Sequence, residues 1–178
     1  MKIGLVRHFK VAKPLPRGIY ITPDYLNQWF LDYDLADIEY GSTELGEIIW
    51  SQCYVSDMPR AIKTAKHIYT RNDIIQTDKL RELPAPKYKG KFGLPFILWA
   101  VRIRLAPFFN RETRIAVADA KKRIGATLDA IHEQGSENVL IVSHAALMVY
   151  MRKELLKRGF TGPSFSTPNN GELYIFEK

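Results

Sequence analysis

The chain has little cysteine and no spacing typical of a bound metal. Its single cysteine, Cys53, excludes an internal disulfide and lies in an apolar stretch, where we interpret it as a small buried side chain. The four histidines form no His-x-x-His spacing, so we expect no zinc site and no cofactor. The apolar run after Met1 is too short for a signal-peptide core. These features favour a cytoplasmic protein.

Basic residues outnumber acidic ones. There are 26 Lys and Arg against 19 Asp and Glu, which gives a formal net charge of +7. A basic surface attracts anions such as nucleic acid, acidic lipid or small phosphorylated molecules. The basic residues are scattered rather than arranged in one stripe with aromatic residues, so nucleic-acid binding is not expected. At 178 residues, 46% of them hydrophobic, residues 1–178 are expected to form one domain.

Short apolar runs alternate with segments of helical periodicity. Helices are predicted from a cap at Asp24, from Thr43 with Glu47, over 58–69 and 113–134, and after His144. The proline-rich residues 13–23 are predicted to be a loop. Strands are predicted at 2–6, 53–56, 74–77, 138–143 and 172–176. This alternation predicts an α/β fold with a doubly wound, mainly parallel sheet and helices on both faces.

Two of the predicted strands end in histidine. Arg7-His8 follows the first strand, and Ser143-His144 follows the clearest buried strand of the chain. Ligands of open α/β sheets bind at the carboxyl ends of the strands. Arg60 lies in the first turn of a predicted helix, where the helix dipole disfavours a cation, so a nearby anion would explain its presence. We therefore predict an anion site at this edge.

These motifs, taken in order, resemble the histidine phosphatase superfamily, the phosphoglycerate mutase-like proteins. The resemblance runs from residue 2 to 177 and rests on Leu5-Val-Arg-His8, Ser56-Asp-x-x-Arg60-Ala-x-x-Thr-Ala65, Leu80-Arg-Glu82 and Val142-Ser-His144. It implies that His8 takes the phosphoryl group and that Arg7, Arg60 and His144 bind the phosphate without a metal. It also implies that Glu82 protonates the leaving oxygen and then activates water. The alternative for Glu82 is an exposed glutamate in a salt bridge.

The residue types suit this chemistry. A phosphate monoester is a dianion near neutral pH, so attack on phosphorus needs positive charge at its oxygens. The planar fork of Arg7 or Arg60 donates two hydrogen bonds and never deprotonates. Histidine has an unperturbed pKa of about 6.5, and adjacent cations lower that pKa and keep a ring nitrogen free to react. His8 is therefore the better candidate nucleophile.

The sequence departs from the family's usual pattern directly after the candidate nucleophile. Phe9 stands where members usually carry glycine or alanine, and the asparagine that commonly follows is missing. We expect Phe9 to reshape the floor of the phosphate pocket or the next loop. His67 and His132 lie on predicted helices away from strand ends, and we interpret both as surface or packing residues.

Residues 90–110 form an apolar, aromatic segment that contains Arg102 and Arg104. The resemblance implies an insertion that covers the active site, a lid lined by Phe96, Trp99 and Ile103 that would favour a bulky or apolar leaving group. The alternatives are a homodimer interface and contact of residues 92–109 with an acidic membrane surface.

The leading functional hypothesis is a metal-independent phosphomonoesterase that forms a phosphohistidine at His8 and acts on a small phosphorylated substrate. The alternatives are a phosphoglycerate-type mutase and a non-catalytic protein that binds a phosphorylated ligand. Because members that act as mutases are usually longer, the length of the chain favours the phosphatase.

Overall fold

The computed structural model describes all 178 residues and contains one five-stranded sheet. The strand order is β3-β2-β4-β1-β5, in which β1 to β4 are parallel and β5 runs antiparallel to β1. The strands are β1 (Lys2–Arg7), β2 (Gln52–Ser56), β3 (Ile74–Thr77), β4 (Asn138–Ser143) and β5 (Leu173–Glu177). The helices are α1 (Pro23–Leu35), α2 (Pro59–Ile68), α3 (Phe96–Phe109), α4 (Arg111–Glu133) and α5 (Ala145–Lys157). The predicted α/β class and mainly parallel sheet are confirmed.

Both faces of the sheet are covered. On one face, apolar side chains of α4 and α5 pack with Ile3, Leu5 and Ile141 in the largest core cluster. On the other face, Ala61 and Ala65 of α2 pack with residues of β2 and β4. Strands β1 and β4 lie at the centre of the sheet and are buried along most of their length. This burial on both faces explains why their sequences are continuous runs of apolar residues. None of the helices is both long enough and apolar enough to cross a membrane.

The helix predicted from Thr43 and Glu47 is wrong. The chain before β2 contains only a turn there, and Trp50 anchors it by inserting into the core, where the side chain is 4% exposed. The Trp50 indole N–H donates to the Leu45 carbonyl. A Cβ atom at Gly4 of β1 would lie 2.6 Å from this indole ring, so Gly4 makes the space that Trp50 fills. The packing of the Trp50 ring thus holds this segment in place without the amphipathic helix that the sequence pattern predicted.

The predicted cap of α1 is also wrong by two residues. Thr22 is the N-cap, because its hydroxyl accepts a hydrogen bond from the Tyr25 backbone N–H at 3.3 Å. Pro23 occupies the first helical position, where its missing N–H costs nothing, and Asp24 lies in the first turn instead.

Helices α1 and α3 form a small layer of their own, which we call the cap. Its core is Trp99 of α3 packed on Ile21 and Leu26, with Phe96 and Ile103 partly buried against them. The Trp99 indole N–H donates to the Ile21 carbonyl at 2.8 Å. Trp99 is only 2% exposed, so it holds the cap together. The prediction that Trp99 lines a lid over the substrate is therefore wrong.

Candidate active site

The carboxyl ends of β1, β2 and β4 meet at one edge of the sheet. Arg7 lies opposite Ser143 in the parallel register of β1 and β4, so His8 and His144 emerge side by side with ring centroids 5.1 Å apart. β2 ends at Ser56, and α2 starts three residues later with Arg60 in its first turn. The structure thus brings His8, Arg60 and His144 together at one edge of the sheet.

The His8 ring is fixed in one tautomer. Its Nδ1 lies 2.6 Å from the Phe9 carbonyl oxygen, which only accepts hydrogen bonds, so we assign the proton to Nδ1. Nε2 then carries the lone pair, and it accepts a hydrogen bond from Arg60 Nε at 3.2 Å. Burial and, to a smaller extent, the charges of Arg60 and Arg7 together lower the His8 pKa to about 3, although the bond to the Phe9 carbonyl opposes this shift. At neutral pH His8 therefore presents an unprotonated Nε2.

His144 is fully buried beside it. Its Nδ1 accepts a hydrogen bond from Arg60 Nε at 3.3 Å, and its Nε2 lies 2.8 Å from the Ser56 hydroxyl. Burial places the His144 pKa well below the usual value, with His8 and Arg60 acting in the same direction. Because the Ser56 hydroxyl both donates and accepts, it permits either tautomer, including the one that donates from Nδ1 to a phosphate oxygen. Ser56 belongs to the same motif as Arg60, but nothing in the sequence indicates this contact with His144.

Arg60 is the centre of the site and has a carboxylate partner that the sequence did not indicate. Its Nη1 donates to Asp34 of α1 at 2.8 Å, and its guanidinium lies 5.4 Å from the ring centre of Tyr33. Arg60 is 4% exposed, while the Asp34 side chain is about half exposed. An anion already occupies one arm of the guanidinium, so an incoming phosphate has to take its place or use the other arms.

Arg7 has a donor without a partner. One arm of its guanidinium donates to the Pro168 carbonyl at 2.9 Å, but its Nε is buried and makes no hydrogen bond. A buried cationic donor without an acceptor is costly, and a phosphate oxygen would satisfy it. The loop that supplies Pro168 also fixes the backbone of His8, because the Asn170 side chain donates to the His8 carbonyl at 2.7 Å.

Glu82 is not in a salt bridge, so that alternative is wrong. Its carboxylate accepts hydrogen bonds from the backbone N–H groups of Leu83, Ala146 and Leu147 at 3.0, 3.1 and 3.1 Å. Ala146 and Leu147 belong to the first turn of α5, which begins directly after His144. Burial raises the Glu82 pKa, and the three N–H donors oppose this rise. The residue therefore caps α5 and keeps a carboxyl group of raised pKa beside the candidate site.

The Phe9 side chain is buried outside the group of His8, Arg60 and His144 contacts. Its ring is buried beneath the C-terminal loop, where a Cβ atom at Gly171 would come within 2.9 Å of it, and it contacts the ring of His67 edge-on. Gly171 also has φ +70°, so glycine is required there on two counts. The Phe9 backbone N–H donates to the Thr64 hydroxyl at 2.9 Å. The loop around Gly171 thus makes the space for the larger residue after His8.

The site is closed. His8 is 3% exposed and His144 is completely buried. The Arg60 guanidinium covers both rings, and Tyr33 and Asp34 of α1 in turn contact Arg60. Access of a substrate to His8 Nε2 therefore requires movement of Arg60 and of the end of α1. His67 and His132 are both exposed and take no part.

Comparison with known proteins agrees with this geometry. The family model described as histidine phosphatase superfamily, branch 1, matches residues 35–177, a span that includes Arg60, Glu82 and His144 but not His8. No curated protein sequence matches the chain significantly.

Solved structures with the same fold match nearly the whole chain. YhfR from Bacillus stearothermophilus superposes with a TM-score of 0.61 at 19% identity, covering 99% of this chain and 90% of that chain. A phosphoserine phosphatase from Entamoeba histolytica, in complex with 3-phosphoglyceric acid, gives 0.57 at 17% identity, covering 98% and 89%. A phosphoglycerate mutase from Bacillus anthracis gives 0.54 at 22% identity, covering 88% and 80%. At these identities the matches establish the fold, and the first two extend over the region before residue 35 that carries His8.

Proposed function

Since the chain belongs to the histidine phosphatase superfamily, we propose that it is a metal-independent phosphomonoesterase that acts through a phosphohistidine at His8. The observation that carries the proposal is the state of His8. Its proton is held on Nδ1 by the Phe9 carbonyl, while the unprotonated Nε2 faces Arg60. A ring fixed in this way is poised to attack an anion bound by the arginine.

In the first step, His8 Nε2 forms a bond to phosphorus as the bond between phosphorus and the leaving oxygen breaks. Arg7, Arg60 and His144 donate hydrogen bonds to the equatorial oxygens, where negative charge concentrates. Glu82, whose pKa is raised by burial, gives a proton to the leaving alcohol.

In the second step, water attacks the phosphohistidine. Glu82, now a carboxylate, takes a proton from that water, the bond between phosphorus and nitrogen breaks, and inorganic phosphate leaves. His8 regains its lone pair and Glu82 its proton, so both residues end the cycle as they began it. The cationic charge that a metal ion supplies in other phosphoryl-transfer enzymes comes here from the two arginines.

A generic aryl phosphate tests this function. Release of inorganic phosphate from p-nitrophenyl phosphate is expected in the presence of EDTA and without any bisphosphoglycerate. Activity that depends on bisphosphoglycerate would indicate a mutase, and phosphate binding without turnover would indicate a non-catalytic binder. The presence of Glu82 near the two histidines favours an enzyme, because a protein that only binds a phosphorylated ligand does not need a proton donor.

The substrate is proposed to be a small phosphomonoester with a bulky or apolar leaving group. Trp99 is committed to the core of the cap, so the preference rests on Tyr33, whose ring lies against Arg60 at the entrance. An apolar or aryl group on the substrate would pack against this ring as Asp34 moves aside.

Replacing Asp34 with alanine is expected to tighten phosphate binding. The carboxylate competes with substrate for Arg60 Nη1, so its removal is predicted to lower both KM and the inhibition constant of inorganic phosphate about five- to tenfold. The value of kcat is expected to change less than about threefold, since Asp34 takes no part in the two steps.

The matched control is Asp32→Ala on the same helix. Asp32 pairs with Lys13 and not with the active-site arginine, so its variant is expected to keep the wild-type constants. Weaker phosphate inhibition in Asp34→Ala would mean that Asp34 orients Arg60 for phosphate instead of competing for it.

Replacing Glu82 with glutamine is expected to separate the two steps. With p-nitrophenyl phosphate the leaving group needs no proton, so a burst of nitrophenolate close to one equivalent per enzyme should remain. Steady-state turnover should fall about 10²- to 10³-fold, because water lacks its base. Rapid-mixing absorbance measures both phases, and a variant without a burst would show that Glu82 is not confined to proton transfer.

A further inference from the structure

Helix α3 is apolar on both of its sides. The inner side packs on the cap and the rest of the protein through Trp99 and Ala106. The outer side is open to solvent, with Phe108 and Phe109 71% and 82% exposed. Four more exposed apolar residues share it, namely Ile97, Leu98, Val101 and Leu105. A helix that is apolar on all sides is normally covered on all sides, and an exposed patch of this kind marks an interaction surface.

The arrangement of side chains around the helix identifies the kind of surface. At about 100° per residue, the six exposed apolar residues from Ile97 to Phe109 fall within an arc of about 120°. Arg104 lies just beyond one border of this arc and Arg102 just beyond the other. An apolar stripe bordered by arginines is typical of a helix that lies in a lipid interface.

The charge of the segment selects an anionic partner. Between Leu83 and Arg111 the chain contains no acidic residue. Its six basic residues are Lys87, Lys89, Lys91, Arg102, Arg104 and Arg111, and none of them is in a salt bridge. This stretch therefore carries a charge of +6, compared with a net charge of +7 for the whole chain, and no ion pair offsets it. Arg102 lies over the rings of Tyr88 and Trp99, at 5.1 Å from each ring centre, which leaves its positive charge in place.

We propose that α3, together with Phe92, docks on the surface of an anionic phospholipid bilayer. Phe92 precedes the helix and is 90% exposed. In this arrangement the apolar arc enters the boundary between headgroups and acyl chains, and the basic residues contact the lipid phosphates. A second copy of the chain fits less well, because a two-fold contact through this side would bring the unpaired cations of both copies together. The proposal stands on this surface alone and does not depend on the proposed function.

Co-sedimentation of the full chain with vesicles tests the proposal. Binding is expected to vesicles that contain one third phosphatidylglycerol in phosphatidylcholine, to be weak on phosphatidylcholine alone, and to fall with added salt. The Phe108→Ser/Phe109→Ser variant is expected to bind the anionic vesicles at least about tenfold more weakly. An Arg104→Gln variant should lose part of the preference for anionic over neutral vesicles.

Ile49→Ser is the matched control, since Ile49 is an exposed apolar residue in the loop before β2 and far from α3 in the sequence. It should bind as the wild type does, and circular dichroism checks that every variant is folded. Equal binding to neutral and anionic vesicles, or unchanged binding of the double phenylalanine variant, would overturn the proposal. A dimer in sedimentation velocity that Phe108→Ser dissociates, with no binding to vesicles, would assign the surface to a second copy instead.

Discussion

A His8→Ala variant is expected to lose at least ~10⁴-fold in kcat toward p-nitrophenyl phosphate. Without the imidazole there is no nitrogen to receive the phosphoryl group, and Glu82 alone activates water poorly against an intact ester. Phosphate binding should survive, because the remaining donors come from Arg7, Arg60 and His144. Steady-state kinetics and the inhibition constant of inorganic phosphate measure the two effects separately.

His132→Ala is the control, because His132 is exposed at the end of α4 and remote from the site in the sequence and the fold. It should keep full activity. His8 is buried, so thermal unfolding has to show that the His8→Ala variant is folded at the assay temperature. A folded variant that releases phosphate at the wild-type rate would exclude His8 as the nucleophile.

An Arg60→Ala variant is expected to lose about 10³-fold in kcat/KM. Arg60 donates hydrogen bonds to both histidine rings, and in the proposed mechanism removal of its guanidinium takes away positive charge beside the transferring phosphoryl group. The change also leaves Asp34 without its partner, so the free carboxylate would repel the substrate.

Arg60→Lys distinguishes charge from geometry. A lysine keeps the positive charge but lacks the planar guanidinium that bonds two ring nitrogens and a carboxylate at once. We therefore expect Arg60→Lys to recover less than a tenth of the lost kcat/KM.

The double variant Arg60→Ala/Asp34→Ala removes the unpaired carboxylate, and its KM should be lower than that of Arg60→Ala alone. Arg71→Ala, which affects an exposed arginine paired with Asp73, should have no effect. Wild-type kcat/KM in Arg60→Ala would show that this arginine does not bind the phosphate.

The sequence predicted most of the sheet because the strands that build the site are buried on both faces. Strand β4 occurs at the predicted residues, and β1 and β2 are each one residue longer than predicted. Helix α4 ends one residue before the predicted boundary, with Gly135 at φ +66° beyond it. Runs of apolar residues leave little choice of structure. The loop that contains Trp50 was not predicted, because one buried ring can anchor a segment that has no helix. The periodicity of the sequence gives no sign of such an anchor.

The site was predicted in part for a similar reason. His8, Arg60 and His144 follow strand ends, and parallel strands bring their carboxyl ends together whatever the loops do. Asp34 reaches Arg60 only because the cap folds over the sheet edge, and the packing of Trp99 on Ile21 that fixes the cap joins residues far apart in the chain. Contacts of this kind leave no pattern in a single sequence.

The covalent intermediate is the most direct test of the mechanism. Wild-type protein mixed with excess p-nitrophenyl phosphate, quenched in alkali within the first turnovers and digested, should yield a peptide with one phosphoryl group on His8, stable in base and lost in acid. The same label should persist longer in Glu82→Gln, in which hydrolysis of the intermediate is slowed. Turnover at the wild-type rate with no labelled His8 at any quench time, or with the label on another residue, would contradict a phosphohistidine at this position.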